Sequence, residues 1–399
     1  MNDNGSSLKK ICLVTDSYWP AIGGVEQWVH GIASGLSRRL LTVTIITHPS
    51  NSGVSPFSPR FILGHYSKEY RDDAGNRVMA LGPSGARRWW LLPLLLWNAP
   101  LVRRLFPKPL FDALSVFYGA AFMKTLGAIV KDADIVHCFS TGYLALCATR
   151  ACARRGVPLI HSPPVHFGKW GDTPSLLRSY GRARAIMCLS QAFKTEFRKR
   201  LPAATVPIIV NAAPVSLPRG MKDPGVFIGR PFVLFLGRRE EHKGLALLLD
   251  SLGKVSCRAT LVVAGPGGSC AAAGRGTIDL GPVDEQVKHW LLEQCALVCV
   301  PSHDESFGIV YAEAMAHAKP VVALDIPPIN EIVVHGDTGL LIPPGRPDLL
   351  AGALDELLRD PEKRRRMGKK GYERFRERFE ENKVMETVLA LYTTVRAPS

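Results

Sequence analysis

The sequence predicts an α/β fold of two Rossmann-like domains facing each other across a cleft, with a C-terminal helix that crosses back to the first domain. Three observations predict it. The chain has 399 residues, more than one hydrophobic core ordinarily serves. Short β-branched runs alternate with longer helical patterns from end to end. The runs are also nearly continuous in apolar residues, as strands buried on both faces of a parallel sheet must be.

In chain order, the first half offers the strands KKICLVTD, TVTIITH, ADIVHCFS, PLIHS, AIMCLS and VPIIVN. The second half offers PFVLFLGR, ATLVVAG, ALVCVPS, KPVVALD and TGLLIPP. Residues 211–231 are rich in Pro and Gly and lack periodicity, which makes them the linker. The expected domains are 1–212 and 213–375, with a helix over 376–399 that packs back on the first domain. Residues 50–110 break the alternation with a Trp/Leu patch bracketed by Arg87, Arg88, Arg103 and Arg104. Aromatics flanked by cations suit a membrane interface, and a core-facing helix of the first domain reads equally from the same residues.

Composition is that of a globular protein, with 46% hydrophobic and 21% charged residues. Nine cysteines without a CxxC fit a reducing compartment. The polar N-terminus runs straight into a strand and leaves no signal-peptide h-region, so a cytoplasmic location is expected. The longest apolar run, Trp89 to Trp97, falls short of the roughly 20 residues a spanning helix needs. A net charge of +15 favours anionic partners. The basic residues are spread out and densest in the C-terminal helical segment, so nucleic acid is not among the expected partners.

Three segments carry chemistry. ALVCVPS reads as a strand, HDES as the loop at its carboxyl end and FGIVYAEAMAHA as the next helix. Ligands of open α/β sheets bind at such ends. Glu305 sits in the loop, the amides of Ser306, Phe307, Gly308 and Ile309 lie near the helix N-terminus, and Glu313 is on the helix. Two carboxylates there suit two sets of hydroxyls on one ligand, although a capping residue and a solvated helix charge produce the same spacing. In PFVLFLGRREEHKGLALLLDSL, Arg238 and Lys243 flank a strand end and a helix start. Cations are disfavoured beside a helix N-terminus unless an anion is present, and a diphosphate leaving group is such an anion. In DSYWPAIGGVEQW, Gly23 and Gly24 follow the first strand and admit close backbone approach to a ligand.

In this order the segments resemble glycosyltransferase family 4, the retaining nucleotide-sugar glycosyltransferases of GT-B architecture. The resemblance covers nearly the whole chain and is carried by GGVE (23–26), GRREEHKG (237–244), the Glu-x7-Glu of ESFGIVYAE (305–313) and NEIVVHGDTGLLIPP (330–344). It implies that Arg238 and Lys243 hold the donor diphosphate, Glu305 the transferred sugar and Glu313 the nucleotide ribose. It also implies a first-domain histidine near the reaction centre, and His161 in HSPPVHFGKW matches that position better than His166. HSPPVHFGKW is similar to a segment of bacterial mannosyltransferases, with His166 as a departure. Further departures are NAAP in place of a Gly-rich turn and the short GPGGSCAAAGRGT after VVAG. Asp132 and Asp134 stand at the wrong end of their strand for a ligand. No metal or other cofactor is expected.

The resemblance therefore implies a retaining hexosyltransferase with mannose as the favoured sugar. Its partners would be a UDP- or GDP-sugar donor, a lipid-linked or cell-surface glycan acceptor and an anionic membrane surface at the cytoplasmic face. A sugar-nucleotide-binding scaffold without catalysis, or an epimerase of the same architecture, are the alternatives.

Overall fold

The computed structural model describes residues 8–21, 23–48, 68–81, 123, 125–201, 206–217, 220–226, 231–268 and 276–396. The Trp/Leu patch and its arginines lie outside them. The chain divides into two compact units, one of residues 1–211 with 384–399 and the other of residues 212–383.

Unit 1 is built on an eight-stranded sheet of order β3-β4-β2-β1-β5-β6-β7-β8. Its strands are β1 (Lys10–Val14), β2 (Thr42–Thr47), β3 (Lys68–Arg71), β4 (Arg77–Ala80), β5 (Ile135–Cys138), β6 (Leu159–His161), β7 (Ala185–Cys188) and β8 (Ile208–Val210). All neighbours are parallel except the β3–β4 pair. Of the strands read from apolar runs, β1, β2, β5, β6 and β7 are central, and β8 is the far edge, partly buried. Those not anticipated, β3 and β4, are the edge KEYR and its neighbour RVMA, whose solvated positions are charged. Strand order reverses between β1 and β5, which makes their carboxyl ends a topological switch point.

Helix α1 (Gly24–Arg38) buries Trp28, Val29, Ile32, Ala33 and Leu36, a stripe at helical spacing. Helix α2 (Tyr143–Arg155) stops at Gly156, which supplies the left-handed cap. The C-terminal segment is two helices rather than one. The first, Pro361–Arg378, belongs to unit 2, and the second, Glu381–Arg396, enters unit 1 at Val384. There Val384, Val388, Leu391, Tyr392 and Val395 are buried. The Tyr392 hydroxyl is 2.8 Å from Nδ1 of His137, whose Nε2 is 2.6 Å from Oγ of Ser162. Asp134, of the would-be metal motif, accepts from the amides of Lys9 and Lys10 and pairs with Arg396.

Unit 2 carries a parallel sheet of order β11-β10-β9-β12-β13-β14. Its strands are β9 (Phe232–Leu236), β10 (Thr260–Ala264), β11 (Thr277–Gly281), β12 (Leu297–Cys299), β13 (Val321–Leu324) and β14 (Gly339–Ile342). Every residue of β9 is buried, as its all-apolar sequence requires. The edge strand β11, TIDLG, is half-buried and was not legible as a strand. The switch point of this sheet lies between β9 and β12.

Candidate active site

The loops that leave β9 and β12 meet at that switch point. After β9 the chain runs through Gly237 to Glu240, a 3-10 turn (Glu241–Lys243) and Gly244 into the helix Leu245–Leu252. The two loops are stitched at the His242 carbonyl, which accepts from Oγ of Ser302 at 3.0 Å and from the His303 amide at 2.9 Å. Gly244 is left-handed, with φ of 75°, and a Cβ there would stand 2.8 Å from the carbonyl carbon of Pro301. Only glycine satisfies both the dihedral and the contact.

Lys243 and Glu305, 62 positions apart, are joined by this packing: Nζ lies 2.8 Å from Oε1, with side chains 16% and 7% exposed. The pair presents an ammonium and a carboxylate side by side at the mouth of the sheet. Arg238 is exposed and pairs with Glu240 at 2.8 Å. Its neighbour Arg239 turns inward, pairs with Asp279 through both carboxylate oxygens and donates to the Gly268 carbonyl at 2.7 Å. Of the two adjacent arginines, therefore, Arg238 is the one with reach to a ligand and Arg239 ties the loop to β11. Burial first, and the Lys243 ammonium second, hold the His242 imidazole below its ordinary pKa.

Ser306, Phe307 and Gly308 lead into the helix Ile309–Ala316. Gly308, with φ of 89°, sits on the Tyr311 ring, where a Cβ would be 2.5 Å from Cε2. The Tyr311 hydroxyl donates to the Val300 carbonyl at 2.9 Å, so one buried tyrosine supports both ends of the loop. Glu313 lies on the buried part of this helix and is bound at 2.6 Å by Lys288, on the helix Glu285–Gln294. Lys288 also contacts the exposed Glu285 at 2.6 Å. Burial alone would lower the Lys288 pKa, but the two carboxylates outweigh it and raise it. Glu285, His289 and Glu313 hold potential ligand atoms within 4.8 Å of one another, and the cation among them is the Lys288 ammonium. Behind them His289 contacts His317 at 2.7 Å, and His317 contacts Glu293 at 2.9 Å.

The structure thus brings Arg238, Lys243, Glu305, Ser306, Phe307, Gly308, Ile309 and Glu313 to the loops and helix at one switch point. Gly23 and Gly24 begin α1 in unit 1. Gly23 is extended, and its missing Cβ leaves room for the Glu26 carboxylate folding back over it. His161 ends β6 with no exposed surface. Its Nε2 is 2.9 Å from Oγ1 of Thr149, its ring stands edge-on to Tyr180, and burial pushes its pKa to about 3. The imidazole is enclosed by unit 1, and its Nδ1 has no hydrogen-bond partner among the described residues. Lys288 was not anticipated, because one lysine in a mid-chain helix carries no pattern of its own.

The first half, residues 22–216, matches the model of Glycosyltransferase Family 4, and residues 221–374 match that of glycosyl transferases group 1. O-antigen chain mannosyltransferase C of Escherichia coli is 30% identical over 97% of this chain and 98% of its own length. D-rhamnosyltransferase WbpZ of Pseudomonas aeruginosa is 34% identical, and that match spans only 38% of this chain and 42% of the relative. Among solved structures, Anabaena HepE in complex with UDP and glucose superposes with a TM-score of 0.67 and 18% identity, covering 97% of this chain and 100% of that one. Two parallel sheets, a charged pair at the second sheet's switch point, the two family models and a full-length relative converge, and the chain belongs to the group 1, family 4 glycosyltransferases of GT-B fold.

Proposed function

We propose that the protein transfers a hexose, with mannose favoured, from a UDP- or GDP-sugar to a hydroxyl of a lipid-linked or cell-surface glycan, with retention of configuration. The observation that carries this reading is the Lys243–Glu305 pair at the β9/β12 switch point. Glu305 accepts hydrogen bonds from the transferred sugar, while Lys243 and Arg238 exchange their present carboxylate partners for the diphosphate. Glu313, fixed by Lys288, receives the ribose hydroxyls. Loss of the C1–O bond leaves charge on the diphosphate, which the two cations and the amides of Ser306 to Ile309 stabilise. The acceptor oxygen bonds to C1 on the face the phosphate leaves, and its proton passes to the departing phosphate oxygen. Each charge-assisted contact is worth about 1.5–3 kcal/mol, or roughly 10- to 150-fold in rate.

The sugar and acceptor classes are supported by the name of the full-length relative, a mannosyltransferase of O-antigen chains. The nucleotide is supported by the UDP and glucose bound in a protein of the same fold. Work at the cytoplasmic membrane face is consistent with the net charge, and no helix among the described residues is long and apolar enough to cross a membrane. In the proposed chemistry the cations and amides neutralise the leaving group without a metal, so EDTA should leave turnover unchanged. The test is calorimetric titration with UDP, GDP and their sugars, followed by the anomeric configuration of the product. One nucleotide should bind, its affinity should fall at least about tenfold in Lys243→Ala, and the product should keep the donor's configuration. Wild-type protein that binds neither nucleotide, or an inverted product, overturns the reading.

A further inference from the structure

The loop after β6 has a feature that donor binding does not use. In HSPPVHFGKWGD the chain doubles back on itself as an antiparallel bridge between His166 and Trp170. The His166 amide donates to the Trp170 carbonyl at 3.1 Å, and the Trp170 amide donates to the His166 carbonyl at 2.9 Å. Gly168, left-handed at the tip, donates its amide to Asp172 at 2.6 Å. The two rings lie against each other, centroids 4.5 Å apart and 31° from parallel. Trp170 is nevertheless 46% exposed, and no other described tryptophan is exposed.

This aromatic surface is braced from below. Val165 is fully buried, and the Gly171 carbonyl accepts from the buried Tyr180 hydroxyl at 3.0 Å. Gly171 rests on Thr141, where a Cβ would stand 3.2 Å from that side chain. The Thr141 amide in turn donates to Asp16 at 2.9 Å, and Ser140 donates to the other oxygen of the same carboxylate at 2.6 Å. The ring pair is therefore tied through Thr141 to the loops that leave β1 and β5, the switch point of the unit 1 sheet, where ligands of open α/β sheets bind.

We propose that His166 and Trp170 form a stacking platform for a pyranose ring of the glycan acceptor. A flat indole held rigid beside polar loops suits a ligand with an apolar C–H face and a rim of hydroxyls, because the face packs on the ring while the rim stays solvated or bonded. Asp172 accepts from the Gly168 amide and the Arg200 guanidinium lies over the Phe167 ring of the same loop, so both signs of charge border the rings and the vesicle arm of the experiment separates a headgroup from a sugar. The inference deepens the acceptor side of the proposed function and rests on it.

The experiment uses the full chain and its Trp170→Ala and Trp170→Phe variants, each first shown to melt with the wild type. α-Linked trisaccharides of mannose, rhamnose, glucose and galactose are titrated by saturation-transfer NMR and calorimetry. UDP, GDP and phosphatidylglycerol vesicles are titrated in parallel. At least one trisaccharide should bind, weaken about tenfold or more in Trp170→Ala and stay within about threefold in Trp170→Phe. Nucleotide affinity should be unchanged in both variants. The platform is overturned if no trisaccharide binds, if sugar affinity survives Trp170→Ala, or if vesicle binding is what the variant loses. Nucleotide binding that persists while the sugar result fails sinks the platform alone and leaves the donor reading standing.

Discussion

Replacing Lys288 with methionine keeps an unbranched side chain one atom shorter and removes the charge that faces Glu313. Both side chains are almost wholly buried, 8% and 7% exposed, and lie 2.6 Å apart. Removing one member of such a pair strands the other charge in a low dielectric, at a cost of about 3–5 kcal/mol. The second partner, Glu285, is 59% exposed and re-solvates, so its arm adds at most about 1 kcal/mol. For a domain of this size the loss corresponds to a fall of roughly 6–20 °C in melting temperature. Urea unfolding of wild type, Lys288→Met, Glu313→Gln and the double variant measures it. The double variant, with no buried charge left, should recover at least half of what Lys288→Met loses. Two results would refute the reasoning: a Lys288→Met protein within about 1 kcal/mol of wild type, or a double variant no more stable than that single one.

Two further outcomes follow from the same physics. Gly244→Ala forces a left-handed alanine against the Pro301 backbone, and it should lose more stability than the about 1–3 kcal/mol of an αL residue alone. Gly345→Ala, at φ of 76° with open space around it, isolates the dihedral cost, so equal losses in the two variants would show that the contact is not felt. In unit 1, burial holds His48 at a pKa of about 4 and His137 and His161 at about 3, all below the unfolded value of about 6.5. The unfolded chain then binds protons that the folded chain refuses. Stability is fully present above pH 6.5 and should fall by about 1.4 kcal/mol per histidine per pH unit as pH drops toward 4. Denaturation midpoints and amide exchange of β2, β5 and β6 between pH 7.5 and 5 check it, and pH-independent midpoints would contradict the burial of these rings.

The central strands and the residues of the candidate-site loops were legible in the sequence, and for one reason. A strand buried on both faces must be apolar throughout, so KICLV, FVLFL and VVAL announce themselves, while the polar residues that interrupt the pattern at strand ends stand out by contrast. Gly244 and Gly308 were visible as letters within motifs, but the Pro301 backbone and the Tyr311 ring that require them were not. The edge strands β3 and β11 escaped because their solvated positions give them the composition of loops, whereas the edge strands β8 and β14 are apolar and were legible.

By itself the sequence determined the fold class, the order of the buried strands and the loops that hold the candidate site, because these rest on local periodicity and on neighbours a few residues apart. Only the tertiary structure decided which charges meet. Lys243 finds Glu305 across 62 residues, Glu313 finds Lys288 on another helix, Arg239 rather than Arg238 turns inward, and His161 lies sealed beside Thr149 while Trp170 stays in solvent. Pairing of this kind depends on distance and dielectric in the folded chain, and neither is a property of spacing along it.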